Sequence, residues 1–319
     1  MKISILGTGA YGMAMASVLH YNKHSIKMWT NSNEEANYLN TNKKSPKVNY
    51  DIPSDIIIST NMKDVVSDSD VIIFATPSEF VGGVSKELSN YYNNQYIGIT
   101  SKGIDNKSLL CLSDVVKMNI STDLIAVISG CTFASDMVRK SVLGINVASK
   151  NLNTLNVISS ILENDYLSVY KTSDVIGTEI CGAIKNIMAI GNGIINGMGF
   201  PESSSAMFIT LATMEITDLI KCLGGEVNTI FSFAGIGDLI LTCNSKESRN
   251  FTLGNMMGKK IDTKDYIENT TIEGLYTLRA ITNIVKNNNI DMPIIMMIDD
   301  IINSKKSADD FIKLLIKLK

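Results

Sequence analysis

One lysine stands in an otherwise apolar, helix-forming stretch, and it is the strongest chemical signal in this sequence. Between Glu179 and Glu202, Lys185 is the only charged side chain. Isoleucine and methionine recur around it at helical spacing, which predicts a helix with a broad buried face. An ammonium group placed there needs a carboxylate, carbonyls or a ligand, and desolvation lowers its pKa towards a range useful for proton transfer. The alternative is a lysine whose head reaches a domain edge, and the spacing alone leaves both open.

A glycine pattern near the N-terminus indicates a nucleotide site. Lys2–Leu6 reads as a short strand, and the run Gly7-Thr8-Gly9-Ala10-Tyr11-Gly12 follows it and opens an apolar helix. In this context GxGxxG is typical of dinucleotide binding. The first glycine permits the tight turn, the second lets a pyrophosphate approach the backbone, and the third lets the helix pack on the sheet.

The residues after the second predicted strand, Ser25–Thr30, do not reveal which dinucleotide is used. An acidic residue there would bind the adenosine ribose, and an arginine would favour a 2′-phosphate. This chain has Asn31 at that position, followed by Ser32. We therefore expect the chain to use both NAD and NADP, with a mild preference for NAD. Asn33 is predicted to cap the helix that follows.

Short apolar runs separated by helical patterns predict a doubly wound, mostly parallel sheet. The expected strands are Ile56–Ser59, Val71–Ala75, Tyr96–Thr100 and Leu124–Ser129, with Asn146–Ser149 and Leu167–Thr172 at the edges. From Ser173 onward long helical patterns dominate, at about 174–198, 203–223, 226–232, 247–258, 275–288 and 293–317. The sequence therefore predicts a dinucleotide-binding domain over residues 1–172 and an all-helical substrate and catalytic domain over residues 173–319.

Four further polar groups could carry chemistry, and each also has an ordinary structural explanation. Lys102 follows a predicted strand end, where ligands of such sheets bind, although loop lysines are commonly solvated. Asp238 follows two glycines, which suits a close approach or a helix cap. Arg249, between Ser248 and Asn250, could fork a phosphate or begin a surface helix. Glu273 beside a glycine is a weak signal by itself.

The composition excludes several classes of protein. The chain has 319 residues, 45% hydrophobic and 19% charged, with a formal charge of −3. Such a balance argues for two ordinary globular domains and against a nucleic-acid or anionic-membrane surface. No apolar stretch is long enough to span a membrane. Five scattered cysteines and two histidines fit a cytoplasmic protein without a metal site and without a histidine relay.

These motifs, in this order, resemble the NAD(P)-dependent sn-glycerol-3-phosphate dehydrogenases of the bacterial, cytosolic type. The resemblance runs through the segments GTGAYG, SKGI, SGCTFA, GAIKN, AGIGDL, TCNSKESRN and IEG. It implies a Rossmann-type N-terminal domain and an all-helical C-terminal domain. It also implies an oxidoreductase that transfers hydride between nicotinamide and dihydroxyacetone phosphate or sn-glycerol 3-phosphate, supplying glycerophospholipid synthesis. The implied partner is a small phosphate ester, and a homodimer stays open.

The resemblance also implies a role for individual residues. Lys185 is expected to be the catalytic proton donor and acceptor, with Asp238 beside it. The implied substrate contacts are Lys102, Gly130, Thr132, Lys185, Asp238, Ser248, Arg249 and Asn250. The implied cofactor contacts are Gly7, Gly9, Ala10, Tyr11, Gly12, Asn31, Lys102, Ala134, Arg249 and Glu273.

The chain departs from the family pattern at several positions. Cys131 replaces a proline, Asp136 is shorter than the usual acid, and Leu211 and Asn31 replace basic residues; the segment 200–203 also differs. None of these departures removes a residue with a chemical role in the scheme above. Two alternatives stay open: a β-hydroxyacid dehydrogenase of the 6-phosphogluconate type, which the segments GIGDL and SRN disfavour, and a catalytically inactive nicotinamide-binding sensor, which the departures suggest. The joint presence of Lys102, Lys185, Asp238 and Arg249 argues against the sensor.

Overall fold

The chain folds into two compact units. The structure is a computed structural model that describes residues 1–318. The first unit comprises Met1–Ser101 and Leu112–Val175, and the second comprises Lys102–Cys111 and everything described from Ile176 onward. The segment Lys102–Cys111 therefore leaves the first unit and belongs to the helical one. The functional division predicted at residues 172 and 173 stays a prediction.

The first unit is built on an eight-stranded sheet. The strands of this unit are β1 Lys2–Leu6, β2 Ser25–Trp29, β3 Lys44–Ser45, β4 Tyr50–Asp51, β5 Ile57–Ser59, β6 Val71–Phe74, β7 Tyr96–Ile99, β8 Ile125–Gly130, β9 Leu143–Ala148 and β10 Leu167–Thr172. Of these, β3 and β4 form a separate two-stranded hairpin. The sheet order is β10-β9-β8-β7-β6-β1-β2-β5. Chain order therefore reverses between β1 and β6, which is where such sheets bind ligands at the strand carboxyl ends.

Helices cover both faces of this sheet, as parallel strands with two buried faces require. They are α1 Ala10–Tyr21, α2 Asn33–Asn42, α3 Met62–Val66, α4 Val81–Leu88, α5 Leu112–Asn119, α6 Ala134–Val138 and α7 Leu152–Leu162. One core contains apolar residues of α1, α2, α6 and α7, and the other contains those of α3, α4 and α5.

The first unit differs from the sequence prediction in two details. The run predicted at Asn146–Ser149 to be an edge strand is the longer, internal β9, and it pairs antiparallel with β8 and parallel with β10. The prediction followed only its polar end. The cap of α2 is Ser32, whose hydroxyl accepts the Glu35 N–H, and Asn33 is instead the first helical residue.

The second unit is helical. Its helices are α8 Val175–Gly197, α9 Glu202–Cys222, α10 Asp238–Asn244, α11 Arg249–Gly258, α12 Lys264–Asn269, α13 Glu273–Asn288, α14 Pro293–Ile302 and α15 Ala308–Lys317. The pattern at 293–317 is two helices and not one, because Ser307 forms a capping box with Asp310 and starts α15. Two short helices, α10 and α12, have too few turns to show a helical period. The doubly wound sheet with a helical remainder confirms the predicted fold class.

The central element of the second unit is α8. All its residues from Gly177 to Ile195 are buried. A helix that is buried all round has neighbours on every side. Lys185 therefore lies within the helical core and cannot reach solvent along one exposed face.

Glycines hold α11 directly against α8. A Cβ on Gly254 would lie 2.0 Å from the Ile190 carbonyl oxygen, and one on Gly258 would lie 2.2 Å from the Ile194 oxygen. Both pairs are offset by 64 residues, since 254 − 190 and 258 − 194 give the same value. The two helices thus run parallel in a fixed register, and only glycine permits this backbone approach.

A buried carboxylate joins α9 to the start of α14. Glu215 accepts hydrogen bonds from the Ile294 and Ile295 N–H groups, each at 2.9 Å. These N–H groups belong to the first turn of a helix and have no intrahelical partner. Burial raises the pKa of Glu215 to about 7, although the two backbone hydrogen bonds oppose this shift.

This carboxylate predicts a pH-dependent stability. Because its folded pKa is raised from 4.5, the protonated acid is the form that folding favours. Its contribution is fully present below about pH 4.5 and is lost as the pH rises through about 7. Relative to Glu215→Gln, the wild-type free energy of unfolding should fall by about 3 kcal/mol across this window. Urea unfolding of both proteins from about pH 4 to pH 8 measures it, and two parallel curves would contradict the assignment.

Candidate functional site

Two lysines share one buried carboxylate in the helical unit. Lys185 Nζ lies 2.7 Å from Asp238 Oδ1, and Lys102 Nζ lies 2.6 Å from Asp238 Oδ2. The side chains of Lys185 and Asp238 are 10% and 1% exposed, and that of Lys102 is 11% exposed. Two ammonium groups and one carboxylate leave one positive charge in a place that water hardly reaches. Such a cluster attracts an anionic ligand.

The environment of Lys185 favours loss of its proton. Burial lowers the pKa of Lys185 from its ordinary value, the charge of Asp238 raises it, and the charge of Lys102 lowers it again. The net direction is downward. A lysine whose pKa is lowered releases its proton more readily than a solvated lysine, as a general acid must. Of the two interpretations left open by the sequence, the structure therefore supports the buried, paired lysine.

Asp238 is brought to Lys185 by a tight turn. It is the first residue of α10 and follows the π-helical turn Phe233–Gly237. Within this turn, a Cβ on Gly235 would lie 2.1 Å from the Ile230 carbonyl oxygen, so the turn depends on a residue without a side chain. One helical turn after Asp238, the Thr242 hydroxyl lies 3.0 Å from Lys185 Nζ and 3.3 Å from Asp238 Oδ1. It can accept from the ammonium and donate to the carboxylate.

Lys102 reaches the cluster on the segment Lys102–Cys111, which packs into the helical unit. Ile104 of this segment is 1% exposed and belongs to the helical core. The backbone N–H of Asn106 donates to the hydroxyl of Tyr276 on α13, at 3.3 Å. The segment is therefore fixed on both its apolar and its polar side, and Lys102 is not a solvated loop lysine.

The start of α11 presents a set of anion-binding groups. Ser248 is its N-cap and accepts the Phe251 N–H, while Arg249 is the first helical residue and is exposed. The first-turn N–H groups of a helix lack intrahelical acceptors and lie at the positive end of the dipole. The Arg249 guanidinium makes no hydrogen bond or ion pair within the described residues 1–318. This helix end can accordingly bind a phosphate.

Glu273 and Asn250 both form hydrogen bonds with Asn186 of α8. Glu273 is the first residue of α13, and its carboxylate accepts from the Asn186 side-chain amide at 3.1 Å. Asn186 follows Lys185 on α8 and also accepts from Asn250, at 3.0 Å. Seven of the predicted site residues therefore lie on one set of connected elements in this unit: Lys102, Lys185, Asp238, Ser248, Arg249, Asn250 and Glu273.

The glycine turn of the first unit fits a dinucleotide. Gly7 has a φ of +126°, and a Cβ on it would lie 2.5 Å from the Ala75 carbonyl oxygen. A Cβ on Gly12 would lie 2.2 Å from the Gly7 oxygen, so the helix packs directly on the turn. Gly9, by contrast, faces open space and is the N-cap of α1 without a side-chain hydrogen bond. An open helix N-terminus on a glycine turn is the shape that a pyrophosphate occupies.

An unsatisfied hydroxyl lies just after the strand that neighbours this turn. Thr76 Oγ1 is buried and has no hydrogen-bond partner among the protein groups of residues 1–318. Thr76 closely follows the β6 end, and its backbone N would be 3.2 Å from a Cβ on Gly7. A buried hydroxyl rarely goes without a partner. A ligand in the cradle formed by Gly7, Gly9 and Thr76 would supply it, so the residues present fit the dinucleotide.

Other predicted ligand residues of the first unit gather at the same strand ends. The Tyr11 hydroxyl and Thr132 Oγ1 are 3.0 Å apart, and Ala134 begins α6. Gly130 also has a structural reason to be glycine, because its Cβ would lie 2.6 Å from the Gly144 oxygen on the antiparallel β9. Asn31 is exposed after β2 and takes no part in this group.

Besides Thr76 and Asn186, sequence reasoning missed two polar residues that the structure places in these sites. One is Thr242, which the i, i+4 spacing from Asp238 could have indicated. The other is Glu35, whose carboxylate accepts from the hydroxyl of Thr30 at 2.8 Å and is also hydrogen-bonded by Thr8 of the glycine turn. The sequence placed Glu35 in a helix and gave no sign that it folds back to the turn.

The described chain offers neither a membrane-spanning helix nor a cluster of metal ligands. Within residues 1–318 no helix combines the length and apolar character needed to cross a membrane. In the same residues no three side chains of His, Cys, Asp or Glu group closely enough to hold a metal ion.

Comparison with known proteins identifies a family over nearly the whole chain. Residues 2–155 match the family model for the N-terminus of NAD-dependent glycerol-3-phosphate dehydrogenase, and residues 174–313 match the model for its C-terminus. A glycerol-3-phosphate dehydrogenase (NAD(P)+) of Fusobacterium nucleatum is 32% identical over 315 residues, covering 97% of this chain and 94% of that protein. One of Staphylococcus aureus is 34% identical over 302 residues, covering 92% of this chain and 91% of that protein.

A solved structure agrees with the sequence comparison. The crystal structure of glycerol-3-phosphate dehydrogenase from Coxiella burnetii superposes with a TM-score of 0.92 at 27% identity and covers 99% of each chain. The similarity in fold therefore extends over both units.

The contact of both lysines with Asp238 predicts how a substitution at Lys102 changes the pKa of Lys185. Replacing Lys102 by methionine removes a like charge that lowers the Lys185 pKa, so that pKa should rise. An NMR titration of the Lys185 side chain would measure this shift. Lys107→Met is the matched control, because Lys107 is an exposed lysine of the same segment and should leave the Lys185 pKa unchanged. An unchanged or lower pKa in Lys102→Met would show that Lys102 does not act on Lys185.

Proposed function

The chain belongs to the NAD-dependent glycerol-3-phosphate dehydrogenase family, and from this membership we propose that it interconverts dihydroxyacetone phosphate and sn-glycerol 3-phosphate with NAD or NADP. The product would supply glycerophospholipid synthesis. The observation that carries the proposal is the buried cluster in which Lys102 and Lys185 share Asp238. Its single positive charge and its pKa-shifted lysine suit an anionic substrate whose carbonyl takes up a proton.

Lys185 performs the proton transfer in this proposal. When bound, the dinucleotide supplies the hydride that reduces the C2 carbonyl. As the C2 oxygen gains negative charge, the Lys185 ammonium donates a proton to it, and the neutral amine is later reprotonated from solvent. Asp238 holds the ammonium in place, and Thr242 fixes its direction. Lys102 is a second, fixed cation for the same oxygen-rich ligand.

The start of α11 grips the substrate phosphate. Arg249 offers a planar fork of donors, and the first-turn N–H groups offer further donors near the positive helix end. Asn250 contributes a side-chain amide beside it. We assign substrate binding to these residues of the helical domain and dinucleotide binding to the glycine turn of the N-terminal domain.

Glu35 supports the expected preference for NAD. Its carboxylate lies against Thr30 and Thr8 and is paired with Lys47. A carboxylate near the end of β2 repels a 2′-phosphate, and Lys47 offsets part of this repulsion. A mild preference for NADH over NADPH follows from this pair.

We also propose a cytoplasmic homodimer. All five cysteines are free thiols, which suits a reducing compartment. Met207 and Met214 are exposed seven residues apart on one face of α9. Phe231 is 72% exposed at the end of the short 3₁₀ helix Val227–Phe231, which packs against α9. Such apolar surface favours self-association. Light scattering during gel filtration tests it, and a monomer at micromolar concentration would contradict it.

A spectrophotometric assay tests the proposed activity. The purified protein should oxidise NADH, and somewhat less effectively NADPH, in the presence of dihydroxyacetone phosphate. Oxidation with 3-oxo-carboxylic acids instead would favour the β-hydroxyacid dehydrogenases of the 6-phosphogluconate type. Binding of NADH without turnover of any substrate would favour the inactive sensor.

The proposed contact between the Arg249 guanidinium and the substrate phosphate predicts a loss of activity that is specific to the phosphorylated substrate. Charge-assisted hydrogen bonds to phosphate contribute about 1.5–3 kcal/mol each, and lysine cannot reproduce the bidentate geometry. Arg249→Ala should therefore lower kcat/KM for dihydroxyacetone phosphate by about 10- to 100-fold or more, and Arg249→Lys by less. Steady-state kinetics with varied substrate measures both.

Two controls are available: a substrate that lacks the phosphate, and a variant at an arginine outside the proposed site. Dihydroxyacetone lacks the phosphate, so Arg249→Ala should change its slow reduction far less. Arg279→Ala removes an exposed arginine of α13 and should leave both substrates unaffected. Equal losses for dihydroxyacetone and its phosphate ester in Arg249→Ala would remove Arg249 from the phosphate site.

A further inference from the structure

A closed ring of hydrogen bonds joins three helices next to the lysine cluster. Asn186 Nδ2 donates to Glu273 Oε2 at 3.1 Å, and Asn250 Nδ2 donates to Asn186 Oδ1 at 3.0 Å. The Gly274 N–H then donates to Asn250 Oδ1 at 2.9 Å. Because Gly274 follows Glu273 in the chain, the circuit is complete. It connects α8, α11 and the first turn of α13.

The direction of every hydrogen bond in this ring is determined. A carboxylate only accepts, so Asn186 must turn its amide nitrogen towards Glu273 and its oxygen towards Asn250. A backbone N–H only donates, so Asn250 must turn its oxygen towards Gly274. Asn186 and Asn250 are 3% and 7% exposed, so water can hardly replace a lost partner. The orientation of both amides is therefore fixed by Glu273 and Gly274.

The ring continues the register of α8 and α11. Asn186 and Asn250 are 64 residues apart, the offset already seen for Ile190 with Gly254 and for Ile194 with Gly258. Lys185 and Arg249, one residue earlier on each helix, have the same offset. The ring thus lies at one end of the contact between α8 and α11. Lys185, the proposed proton donor, and Arg249, the proposed phosphate-binding residue, are at the same end.

Glycine at position 274 is what allows the ring to close. A Cβ there would lie 2.7 Å from Asn250 Oδ1 and 2.9 Å from the Asn186 carbonyl oxygen. The N-cap of α13, Ile272, makes no side-chain hydrogen bond. Asn250 therefore caps α13 from another helix, in place of a local capping side chain.

We propose that Asn186 is a positioning residue: through this ring it holds Asn250 and the first turn of α11 in the geometry that grips the substrate phosphate. This inference rests on the proposed function and deepens it. Asn186 acts on the substrate only through Asn250 and Arg249. Its loss should consequently weaken the grip on the phosphate and leave the proton transfer by Lys185 nearly intact.

Exchange of the carboxylate and the amide tests the ring. In Asn186→Asp two carboxylates face each other, and the donor to Glu273 is lost. In the double variant Asn186→Asp/Glu273→Gln, the introduced glutamine amide can donate to the introduced aspartate, and this aspartate still accepts from Asn250. The double variant has the same net charge as the wild type. Glu273→Gln alone is the reference, because it keeps Asn186 as donor and contains any effect of position 273 itself.

We expect Asn186→Asp to lower kcat/KM and the additional Glu273→Gln substitution to restore it. Asn186→Asp should lower kcat/KM for dihydroxyacetone phosphate by about 10-fold or more, mainly through KM. The reason is that a displaced start of α11 loses a hydrogen bond to the charged phosphate, which weakens binding by that order. Its effect on dihydroxyacetone should be less than about 3-fold. The double variant should return to within about 3-fold of Glu273→Gln. A double variant as impaired as Asn186→Asp, or equal losses for both substrates, would overturn the proposal.

A second measurement separates the ring from the proposed function. Hydrogen exchange of the Gly274 amide reports the ring without any substrate: the amide should be protected in the wild type, exposed in Asn186→Asp and protected again in the double variant. A wild type that does not reduce dihydroxyacetone phosphate would overturn the proposed function. Gly274 amides that exchange equally in all three proteins would overturn the ring.

Discussion

Burial of the Lys185 ammonium is the constraint on which the helical unit is built. Removing a cation from water costs several kcal/mol, and leaving it unpaired would cost about 3–5 kcal/mol more than pairing it. Asp238 supplies the opposite charge at 2.7 Å, and Thr242 supplies a further acceptor. The addition of Lys102 to the same carboxylate works against this pairing, because a second cation lowers the Lys185 pKa. That conflict supports the proposed catalytic role of the cluster, since stability alone would not retain it.

The architecture around the cluster serves this one group. Because α8 is buried on every side, Lys185 cannot escape to solvent. The turn through Gly235 delivers Asp238 to it, and the segment Lys102–Cys111 leaves the sheet unit to deliver the second lysine. Backbone contact between α8 and α11 then fixes where Arg249 stands along the helix pair. The proposed proton donor Lys185 and the proposed phosphate-binding residue Arg249 are in this way parts of one rigid packing arrangement.

The sequence predicted the fold class and most helices because hydrophobic period and glycine motifs are local signals. It failed where the information is non-local. The antiparallel pairing of β9 and the departure of Lys102 into the helical unit depend on which segments pack together, and no local period encodes that. The site residues were predicted by type and resemblance. That Lys102 and Lys185 share one carboxylate, and that Asn186 joins the group, could come only from the three-dimensional structure.

The claim that Lys185 is a proton donor, and more than a fixed positive charge, is tested most directly by Lys185→Arg. Arginine keeps the charge beside Asp238 but does not release its proton near neutral pH. With unchanged folding and NADH affinity, kcat for dihydroxyacetone phosphate should fall by about 100-fold or more, the contribution expected of a general acid. A variant that retains kcat within about tenfold of the wild type would show that the charge alone suffices.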